Sequence, residues 1–422
     1  MFIDFLVHGG TDGNWQHPQQ QEAFAVGGAL FQQPWVVAPA STSTRDGLGP
    51  LFNANSCIAC HVQQGRGHPP LTTTEPFLST LVKLSIPATT AEQKAIAKTL
   101  GVAPEPRYGD HLQQLGITGL PGEGTPRFTY QAIKGTFKDG ESYTLQQPTL
   151  TIENLNYGTF SPDVQLSARV APPLFGMGLL ASIPDAEILA HADLDDKDGD
   201  GISGKANQVW DIQQHKTVLG RFSWKANKPS ILQQSADAFR NDIGITSSLF
   251  PEQPCSTVQI DCHNRPDGGK PEIPDDLLEK VVFHVTNQPA PKQRNAEDPQ
   301  VLQGQELFQQ TGCTACHTPT FPSLASQPQP YSDLLLHDMG EALADHRPDF
   351  EASGSEWRTP PLWGIGLTEK ISGHTRFLHD GRARNLLEAI LWHGGESSQA
   401  QQSVLAMSKA EREALLRFLN SL

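Results

Sequence analysis

The chain has 422 residues, a formal net charge of −15 and a sequence pI near 5.4, so neither nucleic acid nor an anionic membrane surface is an expected partner. This length is sufficient for two or three domains, and no run of residues approaches the roughly eighteen apolar residues that a membrane span requires. Apolar residues make up 37% of the chain and aromatic residues 7%, which is slightly low for a globular protein.

The N-terminal segment MFIDFLVHGG is apolar but short, and it lacks the basic region and the small-residue cleavage site of an export signal. The sequence GGALF at residues 27–31 predicts the start of an amphipathic helix, and GQELF at residues 304–308 predicts a second one. Each of these helices comes shortly before a cysteine motif.

Each half of the chain contains one copy of the pattern C-x-x-C-H, in ANSCIACHVQQG and in TGCTACHTP. The residues of the two copies are Cys57, Cys60, His61, Cys313, Cys316 and His317. The pattern is the attachment signature of c-type haem, in which two thiols bond to the vinyl groups and the adjacent imidazole binds the iron. A redox dithiol would require a βαβ context that neither copy has, and the large separation disfavours one shared zinc ion. We therefore predict two covalently bound haem c groups, with the two histidines as proximal iron ligands.

A β insertion is predicted after the first motif. Residues 127–158 alternate apolar and polar side chains around Lys138-Asp139-Gly140, which predicts a β-hairpin or a small sheet. Helical periodicity is clear further on, in NLLEAILWH and in the C-terminal KAEREALLRFLNSL. The sequence therefore predicts a mainly α fold with long loops and a small β insertion in the first half.

An acidic loop follows in the sequence DKDGDGISGKAN. Asp196, Asp198 and Asp200 occupy alternate positions and Gly201 comes next, which matches the opening of a calcium-binding loop. The twelfth position is Asn207 instead of the bidentate glutamate of an EF-hand. Two interpretations stay open, a structural calcium ion and a solvated Asp-Gly turn.

Two further cysteines lie in PCSTVQIDCHNRP, a short segment flanked by prolines. We predict a disulfide between Cys255 and Cys262, with two buried free thiols as the alternative. A disulfide requires an oxidising compartment, and covalent haem attachment normally takes place outside the cytoplasm. Both features predict a periplasmic protein.

The chain contains an internal duplication. We define two PPL loops, PPLFGMGL at residues 172–179 and PPLWGIGL at residues 360–367, which are identical at six of eight positions. We also define two RF segments, RFSWKANKPSILQQ at residues 221–234 and RFLHDGRARNLLEA at residues 376–389. Because the order of helix, cysteine motif, PPL loop, RF segment and helix is the same in both halves, we predict two related cytochrome c-like units.

The predicted domain limits follow from this order. The first haem domain is expected to span residues 1–285, including the β and acidic-loop insertions. The segment NQPAPKQRNAEDPQ indicates a linker at residues 286–300, and residues 301–422 form the second haem domain.

These motifs resemble a known group of proteins. The two C-x-x-C-H copies, FLHDGRARNLLEAI and the tryptophan segment between them are similar to the bacterial di-haem cytochrome c peroxidase superfamily, which includes the methylamine-utilisation di-haem enzyme. Within it, DGLGPLFNANSC, RVAPPLFGMGLL, DGDGISGKAN, GRFSWKAN and LWHGGE most resemble the di-haem oxidoreductase family, described as peroxidases or "thiol oxidoreductases". The resemblance covers nearly the whole chain from about residue 27.

The resemblance also suggests a sixth ligand for the second haem. His393 lies fourteen residues after His379. In di-haem peroxidases the residue at this spacing from the HDG histidine is similar to the distal ligand, which there is a methionine. Because this chain has histidine instead, we predict bis-histidine iron, with a surface histidine ahead of Gly394-Gly395 as the alternative.

The first haem is predicted to be open. In the first half, the residue that aligns with His393 in the duplication is Ala238, which cannot bind iron. Three other residues are candidates for this position: Met177, His68 and His111. Of these, His68 follows the first motif too closely to reach over the haem, and Met177 occupies the slot of an isoleucine in the second PPL loop. We expect chemistry at this open haem.

The resemblance implies further site residues. Trp224, which aligns with His379 in the duplication, is similar to the tryptophan between the two irons of the superfamily. Gln234 matches a distal glutamine of the methylamine-utilisation enzyme, whereas the expected acidic position holds Gly244. Cleavage of peroxide requires a group that moves a proton between its oxygens, and the candidates are Asp242, Gln234 and Glu123.

Three arginines are candidates for binding haem propionates, with ordinary surface positions as the alternative: Arg66, Arg169 and Arg358. The predicted function is reduction of hydrogen peroxide, or oxidation of a partner protein, at the first haem. Electrons from a small redox protein would enter at the second haem and cross near Trp224. The alternative is an electron-transfer protein without turnover, in periplasmic iron handling.

Overall fold

The computed structural model describes residues 17–42 and 44–422, and the segment MFIDFLVHGG lies outside them. The structure is 32% helical and 17% strand, so the prediction of a mainly α fold is wrong. Much of what was expected to be loop between the helices instead pairs as short antiparallel strands.

The helices are connected by long segments of irregular structure. In chain order they are α1 (Pro18–Gln32), α2 (Ala91–Leu100), α3 (Met177–Ser182), α4 (Asp185–Leu189), α5 (Ile231–Ala238), α6 (Ile260–His263), α7 (Asp275–Thr286), α8 (Pro299–Gln310), α9 (Thr368–Ser372), α10 (Leu386–Leu391), α11 (Ser398–Ala406) and α12 (Lys409–Ser421). One turn of π-helix, Phe239–Ile243, continues α5.

The strands form five two-stranded antiparallel sheets within the described part of the chain. They are β1 (Leu51–Phe52), β2 (Thr80–Ser85), β3 (Leu115–Gly116), β4 (Thr125–Thr136), β5 (Ser142–Glu153), β6 (Gln165–Val170), β7 (Gln208–Asp211), β8 (Lys216–Leu219), β9 (Leu336–Asp338) and β10 (Glu356–Arg358). The pairs are β1–β3, β2–β6, β4–β5, β7–β8 and β9–β10.

Local sequence explains several of these boundaries. Helix α12 begins with a capping box in which the Ser408 side chain and the Glu411 side chain satisfy each other's backbone N–H groups. The β4–β5 hairpin turns at Lys138-Asp139-Gly140, where Gly140 has a φ of 92° that side-chain-bearing residues rarely adopt.

The duplication is visible as equivalent packing in the two halves. Helix α1 packs against α7 in the first half, and α8 packs against α12 in the second. A glycine permits the close approach in each pair: a Cβ on Gly27 would lie 1.9 Å from the Lys280 carbonyl oxygen, and one on Gly304 would lie 2.0 Å from that of Ala414. Both glycines come from the GGALF and GQELF sequences that mark the repeat.

Replacing Gly304 by alanine is expected to lower the free energy of unfolding by about 1–3 kcal/mol. The new Cβ would overlap a backbone carbonyl, and the two helices would have to separate. This cost outweighs the gain in helix propensity of about 1 kcal/mol. Thermal unfolding measures the effect, with Gln305→Ala on the exposed side of α8 as the control. Equal unfolding temperatures for the two variants would contradict the close crossing.

The hydrophobic core has two main parts, and neither follows the halves of the chain strictly. The first contains Leu30, Phe239 and Val281 together with Phe321 and Trp363 from the second half. The core of the second half in turn includes side chains from the first-half hairpin. The domain limits 1–285 and 301–422 stay a prediction.

The β4–β5 hairpin reaches from the first half to the second. Its far end contributes Phe137 and Leu145 to the second core. Arg412 of α12 lies over the Phe137 ring at 3.9 Å and forms an ion pair with Asp139 at 2.9 Å. The hairpin therefore connects the halves through apolar and charged contacts.

Candidate functional site

One internal cavity of about 640 Å³ reaches both cysteine motifs, within the usual size range of ligand sites of roughly 300–1,000 Å³. All six motif residues line it: Cys57, Cys60, His61, Cys313, Cys316 and His317. The two copies have the same local structure, because Cys57–Ala59 and Cys313–Ala315 each form one turn of 3-10 helix. The fold therefore presents both motifs to one shared space.

Two histidines of the second half, His317 and His393, each hold Nδ1 against a backbone carbonyl. The His317 Nδ1 lies 2.9 Å from the Tyr331 carbonyl oxygen, and the His393 Nδ1 lies 2.7 Å from that of Ala389. A histidine that donates from Nδ1 to a carbonyl keeps Nε2 as the coordinating atom. Burial lowers the pKa of His317 to about 4, so the ring is neutral at pH 7, as coordination requires.

The first motif has the same electrostatic character. Burial lowers the pKa of His61 to about 4. Burial, with a smaller effect of the nearby Asp242 carboxylate, raises the pKa of the Cys57 and Cys60 thiols to about 12. These thiols therefore lack the lowered pKa that is typical of a reactive, thioredoxin-like dithiol.

Two of the three candidate arginines are buried without an anionic partner. Arg66 and Arg358 line the cavity, and each is 7% exposed. Within residues 17–42 and 44–422, neither forms an ion pair with a carboxylate; Arg358 donates instead to the carbonyls of Ser223 and Thr359 at 2.9 Å and 3.1 Å. Burial lowers the pKa of both arginines to about 10. A haem carboxylate would supply the missing countercharge.

Arg169, the third candidate, already has partners. It forms ion pairs with Asp345 at 3.1 Å and Asp349 at 2.6 Å. Asp345 also forms an ion pair with Lys225, and Asp349 also forms one with Arg347. These five residues form a charged cluster between the halves, and their side chains are buried. The arginine lines the cavity, but its guanidinium is held by protein carboxylates.

The two halves meet at Trp224 through a symmetric pair of hydrogen bonds. The Arg358 N–H donates to the Trp224 carbonyl at 2.9 Å, and the Val170 N–H donates to the His379 carbonyl at 2.7 Å. Trp224 and His379 are aligned by the duplication, and Val170 and Arg358 each lie two residues before a PPL loop. The Trp224 indole N–H also donates to the Val170 carbonyl at 2.8 Å. This fixes a buried indole in the wall of the cavity that reaches both motifs.

The halves differ most at the position of His393. Its duplicate, Ala238, also lines the cavity, and Gln234 and Asp242 line it nearby. The Gln234 Oε1 is buried without a hydrogen-bond partner. Burial raises the pKa of Asp242 to about 7, against the opposing effect of the Lys83 ammonium. The first half thus has an alanine methyl group, with an amide and a carboxyl nearby, where the second half has an imidazole.

The three other candidates for a ligand of the first haem do not share one location. Met177 and His111 line the cavity. The His111 Nε2 is hydrogen-bonded to the Lys83 ammonium at 2.7 Å, whereas its Nδ1 lies 3.1 Å from the Asp110 carboxylate without a hydrogen bond to it. His68 packs edge-on against His374 with ring centroids 5.1 Å apart, and it is not part of the cavity wall.

Lys83, Asp110 and Asp237 were not predicted as site residues. Lys83 lines the cavity, as does Asp237, which forms an ion pair with Lys228 at 3.0 Å. The one signal in the sequence is the strand TLVKLS, in which a lysine interrupts an apolar run.

Glu123 lies apart from the other candidates. It is fully buried, does not line the cavity and accepts hydrogen bonds from the Gln113 N–H at 2.5 Å and from the Gln259 amide. Burial raises its pKa to about 8. Gln113 in turn donates to the Asn241 carbonyl at 2.8 Å, so Glu123 supports the backbone beside Asp242.

The acidic loop brings its three aspartates together. Carboxylate oxygens of Asp196, Asp198 and Asp200 lie within 4.8 Å of one another, a donor set that suits a hard cation. Asn207 points elsewhere, because its amide donates to the Lys225 and Asp349 carbonyls at 2.7 Å and 3.0 Å. The loop therefore differs from an EF-hand at its end.

The two cysteines outside the motifs lie close together in space. Cys255 and Cys262 are joined by an S–S bond with their Cα atoms 6.0 Å apart, within the usual range for disulfides. None of the helices in residues 17–42 and 44–422 is both long and apolar enough to span a membrane.

Comparison with known proteins agrees with the haem motifs. A family model described as "Di-haem oxidoreductase, putative peroxidase" matches residues 19–422. No curated protein matches the chain. A structure of hydrazine synthase from Kuenenia stuttgartiensis, pressurised with 20 bar xenon, is 12% identical and has a TM-score of 0.30, with 92% of this chain and 100% of that chain covered. A likeness this low does not allow residues to be compared.

Proposed function

Because the chain belongs to the di-haem oxidoreductase family, we propose that it is a periplasmic enzyme with two haem c groups that reduces hydrogen peroxide at the first motif. A small redox protein supplies electrons near the second motif, and Trp224 lies on the route between them. Each haem is attached through the two cysteines of its motif, with His61 and His317 as proximal ligands.

The residues present fit two such groups. The shared cavity is lined by four free cysteines and by the neutral histidines of the two motifs, and it holds two buried arginines that form no ion pair with a carboxylate of the described residues. Haem, when bound, supplies an iron that can accept peroxide at one site and an iron that carries electrons at the other. The protein supplies ligands, countercharge and proton transfer.

The difference between Ala238 and His393 is the observation that supports this assignment of roles. At the second motif, His393 and His317 both direct Nδ1 to a backbone carbonyl and keep Nε2 as a ligand. At the first motif, the methyl group of Ala238 leaves space for a small oxidant. We therefore assign electron entry to the second half and chemistry to the first.

Asp242 and Gln234 are suited to the proton chemistry at the first motif. A carboxyl with a pKa near 7 can both take and return a proton at neutral pH, as cleavage of an oxygen–oxygen bond requires. The unpaired Gln234 Oε1 can accept a hydrogen bond from a bound peroxide. In this proposal Asp242 moves the proton and Gln234 orients the substrate.

Trp224 is suited to a position between the redox centres. Hydrogen bonds through its indole N–H and its backbone carbonyl hold it at the junction of the halves. The Arg66 guanidinium lies over the ring, 5.3 Å from its centroid. A buried aromatic ring that is held in place is a better path for electrons than a solvent-filled gap.

Two structural features belong to the same proposal. The Cys255–Cys262 pair is expected to form a disulfide in the periplasm. The three aspartates of the acidic loop are expected to hold a calcium ion with a structural role.

Low-temperature EPR of the ferric protein tests the proposed function. We expect one low-spin signal from the second haem and one high-spin signal from the first, and the high-spin signal should change on adding peroxide or cyanide. Two low-spin signals that do not respond would contradict the enzyme. They would favour the electron-transfer protein without turnover instead. High-spin iron that binds cyanide but does not turn over peroxide would point to oxidation of a partner protein.

A further inference from the structure

A chain of three polar side chains leads to the cavity of the first half. The Asp110 carboxylate lies 3.1 Å from the His111 Nδ1, and the His111 Nε2 lies 2.7 Å from the Lys83 ammonium. The Asp110 side chain is 15% exposed and is not part of the cavity wall, whereas that of His111 is 3% exposed. His111 and Lys83 both line the cavity, so these three side chains lead from a partly exposed carboxylate to the cavity.

The lysine at the inner end lines the same cavity as Asp237 and Asp242 and interacts electrostatically with both carboxylates. Asp237 on α5 and Asp242 on the following π-turn are the negative charges close to it. Arg169 of β6 and the segment with Arg347 and Asp349 provide the other charges around it. Burial lowers the pKa of Lys83 to about 8, so the ammonium can release a proton at a modest cost.

Histidine in the middle position has a chemical advantage over any other neutral side chain. An imidazole can accept a proton at one ring nitrogen and release one from the other, so it passes protons along the chain. The hydrogen bond between the His111 Nε2 and Lys83 is in place, and the 3.1 Å between Nδ1 and the Asp110 carboxylate is short enough for a small rotation of the ring to complete the second link.

We propose that Asp110, His111 and Lys83 form a proton relay from solvent to the Asp242 carboxylate. The proposal rests on the proposed function, because reduction of one hydrogen peroxide to two waters consumes two protons and two electrons. The redox partner supplies the two electrons. Asp242 moves one peroxide proton to the departing oxygen, a step that takes no proton from solvent, and the relay then delivers to Asp242 the two protons with which the remaining oxygen leaves as water. Asp110, His111 and Lys83 are positioning residues, since they act through Asp242.

Two conservative variants test the relay. His111→Gln keeps a donor and an acceptor in the chain but cannot pass a proton through a ring, and Asp110→Asn removes the carboxylate at the solvent end. In the haem-loaded protein, each variant should lower kcat for peroxide by about tenfold to a hundredfold, below the full effect of losing an acid–base group. The solvent deuterium isotope effect should rise in both variants.

A second measurement does not require peroxide. Proton uptake after rapid reduction, followed with a pH-indicator dye, should be slower in both variants and unchanged in His215→Gln, an exposed histidine on the turn between β7 and β8. Wild-type protein that takes up protons rapidly but does not reduce peroxide would contradict the proposed function alone. The relay would be overturned if both variants took up protons and reduced peroxide at the rates of the wild type. It would also be overturned if the wild type took up no protons on reduction.

Discussion

Replacing Ala238 by histidine is expected to close the first haem and to lower peroxide turnover by about a hundredfold or more. Ala238 lines the cavity at the duplicate position of His393, so the new imidazole would take the place proposed for the oxidant. An occupied sixth position converts a high-spin iron to a low-spin one. EPR should show the high-spin signal of the first haem disappear, and steady-state kinetics should show the loss of turnover.

The reverse change, His393→Ala, should give a new high-spin signal from the second haem. Ala95→His on the exposed side of α2 is the control for the introduced histidine, and it should leave both spectra and turnover unchanged. Retention of the high-spin signal in Ala238→His would show that the duplication does not place this residue over the iron. An unchanged spectrum in His393→Ala would remove the bis-histidine assignment.

Replacing Asp242 by asparagine is expected to lower kcat for peroxide by about a hundredfold to ten-thousandfold. The amide has nearly the same shape but cannot move a proton. The wild-type pH profile should contain a group that titrates near pH 7, the value to which burial raises the pKa of this carboxyl. That group should be missing from the profile of the variant, whereas cyanide binding should be retained. An identical profile in both proteins would assign the proton transfer to another residue.

Stability provides an independent check on the same carboxyl. The pKa of Asp242 is raised in the folded protein above its ordinary value of 3.8, so folding favours the protonated form. Its contribution is fully present below about pH 4 and is lost as the pH rises through about 7. Asp242→Asn removes this titration, so the free energy of unfolding should fall less between pH 4 and pH 7 in the variant than in the wild type.

Much of the site follows from local sequence and from the duplication. The two C-x-x-C-H motifs, Trp224, Arg66 and Arg358 line one cavity, because each sits in a short segment that both halves repeat or that immediately follows a motif. The alignment of Trp224 with His379 is reproduced in space by the paired hydrogen bonds between the halves.

Other parts of the site depend on contacts between distant segments. Lys83 and His111 lie on different segments whose pairing beside β6 is not encoded by a local pattern. Glu123 carries the charge expected of a catalytic acid, but its hydrogen bonds to Gln113 and Gln259 direct it away from the cavity. Neither arrangement can be read from residue type or spacing.

The fold class was predicted wrongly for a related reason. Periodicity identifies long helices such as α12, whereas strands of three to six residues carry little signal of their own. Strands β2 and β6 pair across about eighty intervening residues, and β9 and β10 are only three residues long each. Such short strands form because the surrounding tertiary structure brings them together.

The hairpin formed by β4 and β5 has a consequence for electron transfer. Rates of electron tunnelling fall steeply with separation, so two redox centres in one chain must keep a constant spacing. Phe137 and the ion pair between Asp139 and Arg412 join the halves through the hairpin, in addition to the segment that connects α7 with α8. In the proposed enzyme, the spacing of the two centres is therefore maintained by the contacts of the hairpin as well as by the connecting backbone. Sequence changes in the segment between α7 and α8 should alter this spacing little.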